Sequence, residues 1–371
     1  MRKGKMAATR FFIMVLLLMV FFVLEGFSVE AKQRQAEEPQ SQDTVDEPRE
    51  KEEKRHKGWD RVVENFIERG VMPPEHVDND LFNYVREALK EDEALLPMVT
   101  VGEPGVDYLI PVGTNDYGRA TVAGGYQMAI YATTYEAWYE VRIWAEANGY
   151  YFQNQGREGH DGMMGAEPTE SMREPVTGVS WRDVVVWTNA YSEMMELEPV
   201  YRTPSELIIK DSRHTNGAVV DSAIQTNNNG FRLSTNTEWE MAARWKNDIE
   251  STDGSILVGG RYWTPGNYAS GATANTSNEE ATQAVAWYGL NSNGTTHPVG
   301  ELLPNHLGMY DMSGNVFEWA FTSYGWVKVV RSGSFDITIQ NIYYIQAGQT
   351  HTYYKDRTAI NVGFRIVRNA V

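Results

Sequence analysis

Four side chains near the C-terminal end, Asp336, His351, Lys355 and Asp356, are of types that can move a proton. Any acid–base chemistry close to Trp319 would have to recruit them. The rest of the chemical inventory is sparse. The seven histidines show no His-x-x-x-His or His-Glu-x-x-His spacing, and no Gly-rich phosphate loop or Gly-x-Ser-x-Gly turn is present. The chain has no cysteine, which removes disulfides, thiolate metal sites, iron–sulfur clusters, cysteine nucleophiles and lipid attachment through a lipoprotein cysteine. Lys+Arg 33 against Asp+Glu 50 gives a net charge of −17, which argues against a phosphate-binding surface and against adhesion to anionic lipid. Nucleic acid is therefore not an expected partner.

The rings are the unusual component. With 42% hydrophobic and 22% charged residues the composition is that of a globular protein, but 11 Trp and 20 Tyr in 371 residues exceed what a core needs. Some of them should serve a surface.

The elements that must position these groups begin late. Arg2, Lys3, Lys5 and Arg10 precede an apolar run from Phe11 to Leu24, with Ala31 as a cleavage site, the order of a secretory signal peptide over 1–31. A membrane anchor is the alternative, but 14 apolar residues fall short of the ~20 that span a bilayer. Residues 32–58 are almost wholly charged or Gln/Pro/Ser and read as an exported flexible tether. Trp59, Val62, Val63, Phe66 and Ile67 have helical spacing, so 59–97 reads as a helical segment, either a hairpin of its own or docked on the main domain. From residue 98 onward, short β-like runs alternate with Gly, Asn and Thr clusters. Three helices are expected there: over 134–148 with a capping box from Thr133 to Glu136, after Ser180 with Asp183, and after Thr235 with Glu238. The pattern gives a single α+β domain over 98–371 with long ordered loops.

Five blocks, at 174–181, 231–240, 305–319, 331–335 and 363–368, together closely resemble the formylglycine-generating-enzyme (sulfatase-modifying factor) family in order and composition. The resemblance implies a C-type-lectin-like fold: a twisted antiparallel sheet, two main helices and extensive loops. Catalytic members hold copper with two cysteines after the Gly-Ser-aromatic block; here those positions are Ile337 and Ile342, whose alkyl groups offer a metal no lone pair. No copper chemistry is expected. Ser234 and Asn236 stand where the family usually has Pro and Glu. Within the family the likeness runs nearest to the retroelement-diversified variable proteins of spirochaetes, on 136–141, 144–145, 148–150, 156–159, 187–192 and the C-terminal layout.

In that layout a variable stretch of about 326–360 lies between Gly333-Ser334 and Gly363-Phe364-Arg365. Trp326, Asp336, Ile337, Thr338, Gln340, Asn341, Tyr343, Tyr344, Gln346, Gln349, His351, Tyr353 and Tyr354 are its candidate ligand contacts, since hydroxylated rings among small polar groups supply contact area at low entropy cost. Alternation of the Tyr and Ile residues in and out of a terminal strand pair is the competing reading. The resemblance also implies a structural calcium ion on Asp311, Gly314, Val316 and Glu318, oxygens of the kind a hard cation takes; the alternative is that both carboxylates cap neighbouring backbone amides. The expected protein is a non-catalytic, exported binding module at the cell surface or in the periplasm, with a protein or glycan ligand. It would touch a membrane only through an uncleaved N-terminal segment. A divergent enzyme of the family and an envelope scaffold with one fixed partner are the rivals.

Overall fold

The computed structural model describes residues 95–169, 173–246 and 254–369. The expected signal peptide, tether and nearly all of the helical segment 59–97 lie outside the described residues. Among those described, no helix is long and apolar enough to cross a membrane.

Two four-stranded sheets organise the domain. The first places β1 (Met98–Val101), β2 (Tyr126–Ala129), β8 (Ile366–Arg368) and β3 (Phe231–Leu233) side by side in that order, all antiparallel. The second has the order β6 (His351–Tyr354), β5 (Val327–Arg331), β4 (Phe317–Tyr324), β7 (Val362–Phe364). Its β4–β7 pair is parallel, with Trp319 opposite Phe364, while its other pairs are antiparallel. Short two-stranded ribbons, such as Asp107–Val112 with Gly118–Ala123, occupy the long connections.

The helices start where local chemistry ends the preceding loop. Helix α1 (Tyr135–Ala147) is capped by Thr134, whose hydroxyl accepts the Ala137 amide at 3.3 Å. The expected cap, Thr133, is instead buried one residue earlier and pairs its backbone with Phe364 and Val176; a strand-like backbone contact outcompetes a helix cap there. Helix α2 (Trp181–Met194) carries the expected Ser180–Asp183 capping box. The short α3 (Gly217–Asp221) follows, and then α4 (Asn236–Arg244), with the Thr235–Glu238 box.

The second sheet runs between two apolar clusters. Phe317, Trp319, Val330 and Phe364 join Trp138, Trp181 and Trp187 of α1 and α2 in the larger one. Trp138 and Trp187 stack at 5.8 Å, and Phe364 meets both edge-on. On the opposite side Glu318 turns to Trp239 of α4, which anchors the smaller cluster. The middle of the sheet is thus covered on both faces, which leaves the edge strand farther from β4 as a place where its side chains can meet solvent.

Candidate functional site

Strand β6 is that edge. Antiparallel pairing sets Lys328 opposite Tyr353 and Val330 opposite His351, so these four share one face while Thr352 and Tyr354 point to the other. On the first face an aromatic shelf forms around Phe317, whose ring centroid lies 6.2 Å from Tyr344, 5.9 Å from His351 and 5.7 Å from Tyr353. Tyr343 continues it at 4.4 Å from Tyr344, and His351 sits 5.0 Å from both Tyr344 and Tyr353. The two tyrosines come from the 3₁₀ stretch Ile339–Ile345, a segment without helical or strand periodicity in the sequence. Inward rings are half-buried and Tyr343 is exposed, which leaves edges and hydroxyls available from solvent.

Polar groups rim the shelf. Asp336 is exposed and fixed, accepting from Ser334 Oγ at 2.6 Å and from Asn361 Nδ2 at 3.0 Å. The Arg357 guanidinium lies 4.1 Å from the Tyr353 ring centroid. Burial, and then the charge of Arg357, hold His351 below the usual imidazole range, so it is neutral at pH 7. A hydrogen bond with Tyr343 raises the Tyr344 hydroxyl, and burial raises that of Tyr353. At neutral pH the shelf is therefore uncharged and hydroxyl-bearing, with one carboxylate and one guanidinium at its margins.

The structure divides the sequence-predicted contacts. Asp336, Tyr343, Tyr344, His351 and Tyr353 come together, with exposed Thr338, Gln340 and Asn341 on the adjoining 3₁₀ stretch. Trp326, 80% exposed, occupies the β4–β5 turn beside Lys355, and Tyr354 projects from the other face of β6. Gln346 and Gln349 are half-buried and bond to Thr276 and to the Thr350 carbonyl. Ile337 is corrected: it is buried against the larger cluster and its carbonyl accepts the Gly289 amide, so it supports the surface from beneath. Alternation thus describes β6 itself. Arg357, Asn361 and Phe317 were missed; no local signal in the sequence marks them, because the first two reach the shelf from the β6–β7 connection and the third from β4.

The proton-moving side chains do not converge. His351 has aromatic neighbours, Lys355 pairs with Asp221 at 2.6 Å, and Asp336 is held by Ser334 and Asn361. No base–orienter pair of the kind acid–base catalysis needs is built from them.

Three of the residues expected to hold calcium are already engaged by other groups. Glu318 is fully occupied: Arg365 donates to both its oxygens at 2.8 to 3.2 Å and Trp239 Nε1 donates at 2.7 Å. Arg365 is locked in turn by the Ala129 and Tyr310 carbonyls. The Gly314 carbonyl accepts from Ser332 Oγ, and Val316 packs with Ala132 and Val299. Asp311 accepts the Gly300 amide through Oδ2, and its buried Oδ1 has no partner. One unpartnered oxygen suits a cation, but a guanidinium already neutralises the second carboxylate. The four-residue set does not fit calcium, and among the described residues no group of three or more acidic or histidine side chains could hold a metal.

Comparison with known proteins bears on the family and the fold. The family model described as "Sulfatase-modifying factor enzyme 1-like domain" matches residues 109–370. The chain is 31% identical over 167 residues to the chaperone protein LppX of Paenibacillus barcinonensis, covering 43% of this chain and 56% of that protein. It thus spans about half the length of the curated relative it matches. The crystal structure of CarF superposes with a TM-score of 0.57 at 26% identity, over 74% of this chain and 98% of CarF. Variable protein 1 of Treponema denticola superposes with a TM-score of 0.53 at 24% identity, over 75% of this chain and all of that one, and shares the fold.

Proposed function

The chain belongs to the sulfatase-modifying factor enzyme 1-like family, and from that premise we propose that it is a non-catalytic binding protein presenting the Tyr343–Tyr344–His351–Tyr353 shelf to a protein or glycan ligand. The observation that carries this reading is the shelf itself, a set of partly solvent-facing hydroxylated rings rimmed by Asp336 and Arg357 without an acid–base pair. Rings with two side-chain torsions lose little entropy on docking and offer both an apolar face and a polar tip. Replacement of the metal-binding cysteines by Ile337 and Ile342 supports the absence of copper oxidation. The N-terminal run supports export to the cell surface or periplasm.

The test is a screen of immobilised glycans and extracellular proteins with the wild type and with Tyr343→Ala/Gln340→Ala, two exposed positions. Loss of binding by tenfold or more at an unchanged melting temperature is expected; binders indifferent to the double variant would remove the shelf from the function. Retroelement diversification adds a genetic test. The DNA should hold a near-copy of the segment encoding residues 326–368, differing at adenines and lying beside a reverse transcriptase. A second reading, a scaffold or chaperone with one fixed protein partner, is favoured by the name of the Paenibacillus relative. Sibling sequences that vary evenly, instead of between 326 and 360, would select it.

A further inference from the structure

With no cysteine in the chain, methionine thioethers are its only oxidisable sulfur. Among the described methionines, Met128, Met241, Met309 and Met312 are buried and Met98, Met194 and Met195 half-buried, whereas Met163 and Met164 are 79% and 43% exposed. The loop that carries this pair follows the short strand Arg157–Glu158, which is paired with Val176–Thr177. Gly178 comes next, with its backbone at φ 70°. A Cβ built there would meet Met164 Sδ at 3.0 Å, Arg157 Nε at 3.2 Å and Arg157 Cγ at 3.6 Å. Glycine therefore leaves the room in which the sulfur and the guanidinium flank one point. Arg157 Nε is buried and has no hydrogen-bond partner, which is costly for a donor. A thioether is too weak an acceptor to satisfy it. The contact is anchored from the other side, where the Gly178 amide donates to the Ala359 carbonyl at 3.0 Å, two residues before the Asn361 that holds Asp336.

We propose that Met164 is a reversible oxidation site whose sulfoxide oxygen accepts the unpartnered Arg157 Nε–H. The oxidant is a peroxide. The sulfur lone pair attacks one peroxide oxygen, the O–O bond breaks as the S–O bond forms, and the transferred oxygen gives up its proton to the departing one, which leaves as water when the oxidant is hydrogen peroxide. Sulfur is oxidised and the peroxide reduced by two electrons. The product puts a polar, chiral group in place of an apolar one, and a charged guanidinium bonds its oxygen more strongly than a neutral donor would. The methionine side chain has three rotatable bonds, so its tip can turn toward Nε while the backbone stays. Because the donor stands on one side of the sulfur, it holds one of the two sulfoxide epimers and not the other. Met163, the more exposed neighbour, is the internal reference. The inference stands on these contacts and does not depend on the ligand-display reading.

The whole chain is treated with hydrogen peroxide at pH 7.5 and its methionine peptides are mapped by mass at intervals; the sulfoxides are then offered to the two methionine sulfoxide reductases, one for each epimer. Met163 and Met164 should oxidise before the buried methionines. At Met163 both epimers should form and be repaired at comparable rates. At Met164 one epimer should dominate, with repair about tenfold slower, the effect of a hydrogen bond to a charged group. Arg157→Leu, which removes every donor of that side chain, should bring Met164 to the behaviour of Met163, and oxidation of the wild type in urea should give both epimers equally at the two positions. Equal epimers and equal repair at Met163 and Met164 in the folded wild type, an unchanged Met164 in Arg157→Leu, or oxidation of Met164 no faster than that of the buried methionines would overturn the proposal.

Discussion

At the scale of single residues, the buried charges decide stability. Asp311 is fully enclosed and its carboxyl is pushed up to about 6, chiefly by burial, against the pull of the Gly300 amide and Arg365. Its folded value exceeds its unfolded one, so the folded state binds the extra proton; its contribution to stability is full below about pH 4 and is lost as pH rises through about 6. Two units correspond to ~3 kcal/mol at most. Asp311→Asn keeps an acceptor for Gly300, and Asn tolerates the left-handed backbone at φ 54°. Urea unfolding of this variant between pH 4 and 7 should show that slope abolished, with a gain at pH 7; a retained slope would place its origin elsewhere. Glu318 is paired with Arg365. Glu318→Gln leaves the Arg365 guanidinium buried without a counter-charge, and a loss of ~3–5 kcal/mol is expected. Because Arg365 stands where a cation was expected, a chelator should leave the melting temperature of the wild type unchanged, and a clear drop would restore calcium to Asp311.

At the scale of elements, the caps were legible because they are local. Ser180 and Asp183 lie three residues apart, and their hydroxyl, carboxylate and amides close on one another within a single turn. What spacing did not reveal is that Asp183 also accepts the amides of Gln153 and Asn154 and the Ser212 hydroxyl, tying α2 to a loop thirty residues earlier. Ser180→Ala should therefore cost ~1 kcal/mol, the usual value of a cap. Asp183→Ala should cost several times more, since it strands buried donors at ~1–3 kcal/mol each. Chemical denaturation of the two variants side by side checks the ordering, and equal losses would refute it. The same limit on local reading explains the misplaced start of α1. Thr133 and Thr134 are chemically alike, and only the pairing of the Thr133 backbone with Phe364 and Val176 selects its neighbour as the cap. The irregularity in β4 between Trp319 and Ser323 left no mark in the sequence either. It nonetheless sets which side chains of the β4–β5 hairpin share a face with Lys328.

For the whole molecule, the amino-acid order by itself determined the fold family, two of the three expected helix starts, the absence of any cysteine and the clustering of rings near the C-terminal end. These depend on residue identity and short-range spacing, which survive in a linear chain. Tertiary structure alone decided which of those rings face water. Tyr344, His351 and Tyr353 meet Phe317 only because β4, β5 and β6 pair in register and a 3₁₀ turn returns across them. Ile337, drawn from the same segment, is carried inward by that return. The fates of Glu318 and Lys328 were settled in the same way. One found a guanidinium 47 positions away and the other an indole on a helix before it. A period of two states that a strand has two faces, but what covers each face is set by elements distant in sequence, and burial, charge pairing and reactivity depend on that cover.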